Sequence, residues 1–178
     1  MSRVCVVTTT PFIANTYLRP LLLALAEKHE LTLALNLRDG YGLDRALAAK
    51  LRLEHVPLAR RIAPFSDLAA LFALRSLFTS NPFDVVHSVA PKAGLLGMLA
   101  ARSAGVPKRV HTFQGEVWAT ASGPRRVLLK QADRLTARCA THALVVSRGE
   151  QAFLESEGVL EPRRSAVLGS GSISGVDT

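Results

Sequence analysis

Residues 84–115, DVVHSVAPKAGLLGMLAARSAGVPKRVHTFQG, constrain the fold more than any other stretch of the chain. Asp84, Val85 and Val86 open a short apolar run that ends in a polar loop with His87, Ser88 and Lys92. A helix of small residues follows and is stopped by Gly105 and Pro107. Val110 then leads a second apolar run into Gln114, Gly115 and Glu116. The pattern predicts strand, helix, strand. Two strands joined by a crossover helix run parallel, so both polar loops lie at one edge of the sheet. Open parallel sheets bind ligands outside the carboxyl ends of their strands. The chemistry is therefore expected near His87, Ser88 and Lys92, and near Gln114, Gly115, Glu116 and Trp118.

The same alternation runs through the rest of the chain. Val-rich residues 3–10 predict a first strand, buried on both faces. Asn15 or Thr16 can cap the helix after it, with Pro20 near that helix's first turn. Further strands are expected at 31–37, 51–57, 85–89, 109–113 and 142–147, with a short extended piece at 167–168. Helices are expected at 43–50, from a cap at Ser66 or Asp67 to about residue 80, and at 91–104, 124–141 and 148–158. Such a sequence predicts an α/β, three-layer, Rossmann-like domain with a mostly parallel, doubly wound sheet. Residues 1–168 are assigned to that domain. Residues 169–178, GSGSISGVDT, have the composition of a linker.

Composition closes off several alternatives. With 48% hydrophobic and 20% charged residues in 178, one folded domain is expected and disorder is not. No apolar run approaches the roughly 20 residues that span a bilayer. The apolar run at the N-terminus is too short for a signal peptide. Cys5 and Cys139 fall in a strand and a helix, as buried thiols in a reducing compartment do.

The net charge is +8, and residues 102–138 contribute most of it, with eight Lys or Arg against two acids. Within the helix predicted over 124–141, Arg126, Lys130, Arg134 and Arg138 recur every four residues and share a face, with Arg125 beside them. Leu128, Ala132, Leu135 and Cys139 take the opposite face. The plainer reading is a solvated basic face. The functional one is a surface for an anionic partner, and Val127 among the cations favours a lipid surface over nucleic acid. Aromatics between Trp118 and Phe153 are absent from the sequence, so the basic helix lacks the stacking groups of a nucleic-acid reader.

Familiar catalytic signatures do not occur. No glycine-rich dinucleotide loop follows the first strand, and there is no phosphate-binding loop or nucleophile elbow. His87 and His111 lack metal-ligand spacing, and no carboxylate-rich run suits Mg²⁺, so no metal is expected. What remains is a set of polar groups at strand ends: Thr9, Thr10 and Asn15; His87, Ser88 and Lys92; Gln114, Gly115 and Glu116. Gly115 allows close approach of a ligand to the backbone. Glu116 can orient a sugar hydroxyl or act as a base, and Lys92 can hold a phosphate. Helix capping and loop solvation are the competing roles for each.

The block PKAGLLG…AGVP, the following strand and loop, and the ending VLGSGSISGVDT resemble the acceptor-side domain of family 4 retaining glycosyltransferases of the GT-B architecture. The likeness is greatest to the capsular-polysaccharide and O-antigen types, and it covers nearly the whole chain. It implies transfer of a sugar from a nucleotide sugar to a lipid-linked or glycan acceptor, with retention and without a metal. It implies no cofactor beyond the nucleotide-sugar donor, held by a C-terminal donor-binding domain or partner chain. It further implies a cytoplasmic place, peripheral on the inner face of the membrane. Gln114 and Glu116 take the reaction-centre positions, and Thr9, Thr10, Asn15, His87, Ser88, Lys92, Gly115 and Trp118 the substrate contacts. The basic residues Arg125, Arg126, Lys130, Arg134 and Arg138 take the anionic membrane surface. One departure stands out: Gln114 occupies the place where the family has a His, and glutamine cannot serve as a general base. The donor half is absent from these residues, so the chain alone is expected to be inactive. Half of a nucleotide-sugar 2-epimerase, or a non-catalytic binding or scaffold chain of a split enzyme, are the alternatives.

Overall fold

A computed structural model describes residues 1–59, 61, 63–162 and 164–173. Seven strands form one sheet in the order β3-β2-β1-β4-β5-β6-β7. They are β1 (Arg3–Val7), β2 (Glu30–Leu35), β3 (Arg52–His55), β4 (Val85–Val89), β5 (Lys108–Phe113), β6 (His142–Val145) and β7 (Ser165–Val167). Every pairing is parallel. The helices are α1 (Pro11–Thr16), α2 (Arg19–Ala26), α3 (Arg45–Lys50), α4 (Pro64–Ser80), α5 (Pro91–Ser103), α6 (Gly123–Cys139) and α7 (Arg148–Ser156). The expected doubly wound α/β architecture is what the chain adopts.

Alternating residues of the central strands supply both sides of the sheet. Val4 and Val6 pack with Ala14, Leu18, Leu22 and Leu47 of the α1–α3 layer. Cys5 and Val7 pack with Leu74, Phe78, Met98 and Ala101 of α4 and α5. A third cluster, with Phe113, Trp118, Val145 and Leu154, lies beneath α6 and α7. The winding reverses between β1 and β4, so the loops after these strands flank the topological switch point. Cys5 and Cys139 are free and buried, as expected, and burial pushes the Cys5 thiol up.

Local chemistry moved several boundaries. The first strand ends at Val7, because the Thr10 hydroxyl accepts the N–H of Ile13 and caps α1. Asn15 therefore lies inside a helix and Thr16 ends it, where either was expected as a cap. Pro20 sits within the first two positions of α2, where its missing N–H costs nothing. At α4 neither Ser66 nor Asp67 is the cap: the helix starts at Pro64, and the Asp67 carboxylate reaches back to the N–H of Ala63. Gly169–Ile173, expected as linker, lies against the domain. Ser172 donates its N–H to the Val146 carbonyl at 2.7 Å, and a Cβ on Gly171 would come within 2.4 Å of that oxygen. Ile173 packs on the α1–α3 layer. The rest of the predicted linker, 174–178, lies outside the described residues.

Candidate functional site

Strands β4 and β5 carry two crossed side-chain pairs. Ser88 Oγ lies 2.8 Å from His111 Nδ1, and His87 Nε2 lies 2.8 Å from Thr112 Oγ1. Ser88 and His111 are direct partners in the parallel register. All four side chains are buried. Desolvation lowers the His87 pKa to about 4. It lowers that of His111 to about 3, with further lowering from His87 and an opposing hydrogen bond to Ser88. Both imidazoles are neutral at neutral pH and act as hydrogen-bonding core residues. The expectation that His87 and Ser88 touch substrate is corrected: paired and enclosed, they present nothing to a ligand.

These pairs explain the glycine of the PKAGLLG block. A Cβ at Gly94 would come within 2.4 Å of His111 Cε1. The ring cannot retreat, since Ser88 holds one side and Phe113 packs edge-to-face on it with centroids 4.5 Å apart. Gly94 on α5 and His111 on β5 are therefore one unit, seventeen positions apart in sequence.

Other expected contacts are also engaged internally. Lys92 Nζ pairs with Asp67 at 2.7 Å and donates to the Arg61 carbonyl, fastening α5 to the start of α4. With that ion pair largely shielded from solvent, Lys92 is a strut and not a free phosphate ligand. Thr10 caps α1, and the Thr9 carbonyl accepts the Asn36 N–H. Asn15 donates to the Gly42 carbonyl and accepts from the Asp44 N–H, both at 2.9 Å, which pins the 40s loop to α1.

Trp118 is the largest correction. It is 1% exposed, its indole N–H donates to Asp133 Oδ2 at 2.7 Å, and its ring stacks on Phe153. Arg126 and Lys130 lie over the same ring. Both cations bind Glu157, Arg126 through two contacts of 3.0 Å and Lys130 through one of 2.5 Å. Arg134 donates to the carbonyls of Glu157 and Gly158, satisfying the carboxyl end of α7. Three of the five cations assigned to an anionic surface thus clamp α6 to α7. The helix is turned over relative to the expectation, with Leu128 and Leu135 outward. Only Arg125 and Arg138 of the set are exposed.

Gln114, Gly115 and Glu116 remain at the exit of β5. They line a small cleft with Ala90, Pro91 and His111, roomy enough for about one water molecule. The Gln114 amide makes no hydrogen bond among the described residues. Gly115 has φ 92°, a conformation L side chains rarely adopt, and its N–H donates to the Glu150 carboxylate. Ala90 across the cleft has φ 81° without being glycine, so the site stores backbone strain. Glu116 has one carboxyl oxygen buried with no partner among the described residues. Desolvation raises its pKa to about 8, with repulsion from Glu150 and Asp133 and a side-chain hydrogen bond with Glu150 adding to it. Burial favours its protonated form, which can donate a hydrogen bond, so of the two roles the sequence offers it, orienting a sugar hydroxyl fits better than acting as a base.

Sequence reasoning missed Ala90, Asp133 and Glu150. The Ser147-x-x-Glu150 capping pattern is visible in the sequence, and Ser147 does cap α7. That the Glu150 carboxylate also reaches across to Gly115 depends on tertiary packing. A larger cavity of about 240 Å³ lies at the opposite, amino edge of β6, lined by Arg134, Arg138, His142 and Arg164 among others. It is far from the strand exits, and the catalytic reading does not use it.

The fold is a doubly wound, all-parallel α/β domain with its polar loops at the carboxyl edge of the sheet, and comparison with known proteins gives its family. Residues 14–171 match the glycosyl transferase 4-like domain, and the chain belongs to that family. It is 31% identical over 121 residues to the capsular polysaccharide biosynthesis glycosyltransferase CapM of Staphylococcus aureus, covering 68% of this chain and 32% of the relative. It is 30% identical over 115 residues to the Escherichia coli UDP-Gal:alpha-D-GlcNAc-diphosphoundecaprenol alpha-1,3-galactosyltransferase, covering 64% and 30%. The chain thus spans about a third of the length of these relatives. Among solved structures, a UDP-N-acetylglucosamine 2-epimerase aligns with TM-score 0.72 and 19% identity over 95% of this chain and 48% of that one. Anabaena HepE, solved with UDP and glucose, aligns with TM-score 0.71 and 13% identity over 96% and 45%. At these identities the solved structures speak for the fold alone.

Proposed function

We propose that this chain is the acceptor-binding domain of a retaining, metal-independent glycosyltransferase that moves a sugar from a nucleotide sugar to a lipid-linked or polysaccharide acceptor. The observation that carries the reading is the under-satisfied Gln114–Glu116 loop at the carboxyl edge, in a chain of this family. The kinship with a transferase named for a diphosphoundecaprenol-linked acceptor supports the acceptor class. The donor is held by a second domain or partner chain, and this domain alone does not turn over. The enzyme works on the cytoplasmic face of a membrane.

The loop chemistry favours positioning over proton abstraction. The Gln114 amide offers both donors and an acceptor to a sugar hydroxyl. Glu116, protonated up to about pH 8, adds a donor in a poorly solvated place. Neither takes a proton from the acceptor near neutral pH. Gly115 lets the acceptor approach the backbone.

The test is a complete enzyme carrying this domain, offered nucleotide sugars with a polyprenyl-diphosphate sugar acceptor. A product linked with retention at the anomeric carbon, and a rate unchanged by EDTA, are expected. An epimerised free nucleotide sugar, with no transfer, would instead support the 2-epimerase reading that the fold likeness keeps in view.

A further inference from the structure

The cavity of about 240 Å³ at the amino edge of β6 lies at the other end of the sheet from the β5 loop. Three stretches enclose it: the last turns of α6, the first residues of β6, and the connection from α7 to β7. The sequence leaves this space open. Ala137, Ala140 and Ala143 bring only methyl groups to it, and Gly158, at φ 65°, turns the chain at the end of α7. Val159 and Leu160, both buried, give the cavity an apolar wall.

Its charge is one-sided. Arg134, Arg138 and Arg164 line it against one carboxylate, Glu161. Two of these guanidiniums are held by main-chain carbonyls, which fix their position and leave their charge in place. Arg134 donates through Nε and Nη2 to the carbonyls of Gly158 and Glu157, and Arg164 through Nη2 to that of Ala140 at 3.0 Å. Arg164 meets Glu161 only at 3.9 Å, with both side chains well exposed, and such a pair is weak. The Arg138 side chain is exposed and makes no hydrogen bond or ion pair among the described residues. The Thr141 hydroxyl and the His142 imidazole, 3.0 Å apart, add hydrogen-bonding groups to the rim. Three arginines against one glutamate leave a formal charge of +2. The carboxyl ends of α6 and α7 each offset about half a charge, and the balance stays positive.

We propose that this cavity binds a small phosphate monoester. A guanidinium fork matches phosphate oxygens two at a time. A phosphate monoester carries about −1.5 to −2 at neutral pH, which answers the charge of the cavity, whereas a single carboxylate would leave much of it unmatched. The apolar wall takes the organic part, so an ester fits better than the bare ion. The volume lies below the roughly 300 Å³ at which drug-sized pockets begin, which suits a phosphate with one sugar or nucleoside. Because carbonyls already hold two of the guanidiniums, binding costs little side-chain ordering. The inference is independent of the acceptor reading, since the acceptor loop lies at the opposite edge of the sheet.

Isothermal titration calorimetry of the 178-residue chain at fixed ionic strength tests this, with glucose 6-phosphate, adenosine monophosphate, inorganic phosphate and glucose as probes. At least one ester is expected to bind saturably, inorganic phosphate more weakly and glucose not at all. Preference for glucose 6-phosphate identifies the organic part as a sugar, preference for adenosine monophosphate as a nucleoside, and either supports the site. Arg138→Gln is expected to weaken ester binding about tenfold with the melting temperature unchanged, because the Arg138 side chain holds nothing else. Arg125→Gln, on the same helix but outside the cavity, is expected to bind as the parent does. The absence of saturable binding by either ester up to about 10 mM would overturn the proposal. Equal losses in Arg138→Gln and Arg125→Gln, the mark of diffuse charge attraction, would also overturn it. Ester binding untouched by Arg138→Gln would place the ligand elsewhere and do the same. Inorganic phosphate binding as tightly as both esters would overturn the role given to the apolar wall.

Discussion

The exits of β4 and β5 lie side by side at one edge of the sheet, and both end in polar residues. They are used in opposite ways. At β4 every polar group is spent: His87 on Thr112, Ser88 on His111, Lys92 on Asp67. At β5 the groups are held short of satisfaction: Gln114 is unpartnered among the described residues, Gly115 is in a positive-φ conformation and Glu116 keeps a buried oxygen without a partner. A buried polar group is costly unless hydrogen-bonded, so an exit that pairs everything is scaffold. An exit that leaves groups waiting has a use for them. Polarity at a strand end does not separate the two cases, and pairing does.

The sharpest way to break this contrast is at Gly94. Gly94→Ala drives a methyl group into the His111 ring, and a loss of about 3 kcal/mol is expected in chemical denaturation. Combining it with His111→Ala should cost less than the two single losses added together, since the clash then disappears. Additivity would mean that the two residues do not form a unit. Ser88→Ala leaves His111 Nδ1 buried without its partner, and a loss of about 2 kcal/mol is expected.

The pH dependence of stability sharpens the same contrast. His87 and His111 have lowered pKa values, so the unfolded chain binds more protons between about pH 4 and 6.5, and stability falls as the pH drops through that window. Glu116 has a raised value, so the folded chain binds more protons between 4.5 and about 8, and stability falls as the pH rises. Between 6.5 and 8 only the Glu116 trend remains among these groups. The melting temperature of the parent is expected to decline there. Glu116→Gln is expected to flatten that decline and to steepen the acid limb above about pH 4.5, where the two trends oppose each other in the parent. An unaltered alkaline limb would remove Glu116 as the buried acid.

The smallest effect belongs to Ala90. Its φ of 81° favours glycine, so Ala90→Gly is expected to gain about 1 kcal/mol in thermal unfolding, with strain relieved beside the cleft. A loss of stability would show instead that contacts of the buried methyl dominate.

Much of the fold was legible because strand and helix periods differ, and the 84–115 unit alone fixes parallel neighbours. The edge that carries the β5 loop was legible for the same reason. Which polar residues at that edge are free was not, because Gly94–His111 and Gly115–Glu150 are contacts made by register and packing. The orientation of α6 was misread for a related reason. Period alone places four cations on one face, and their distance from the apolar positions suggests solvent. Trp118 and Glu157, both outside the helix, turn that face inward and give the cations partners. Helix α4 leaves Phe65, Leu68 and Phe72 exposed. Only the fold shows which part of it stays uncovered.

The most direct test of the contrast compares Gln114→Ala with Ser88→Ala in a complete glycosyltransferase carrying this domain, measuring kcat per folded molecule beside the melting temperature. Gln114→Ala is expected to lower kcat about tenfold or more with the melting temperature unchanged, and Ser88→Ala to lower the melting temperature with kcat per folded molecule retained. Unchanged kinetics for Gln114→Ala, with turnover lost in Ser88→Ala, would move the site to the β4 exit and contradict the account.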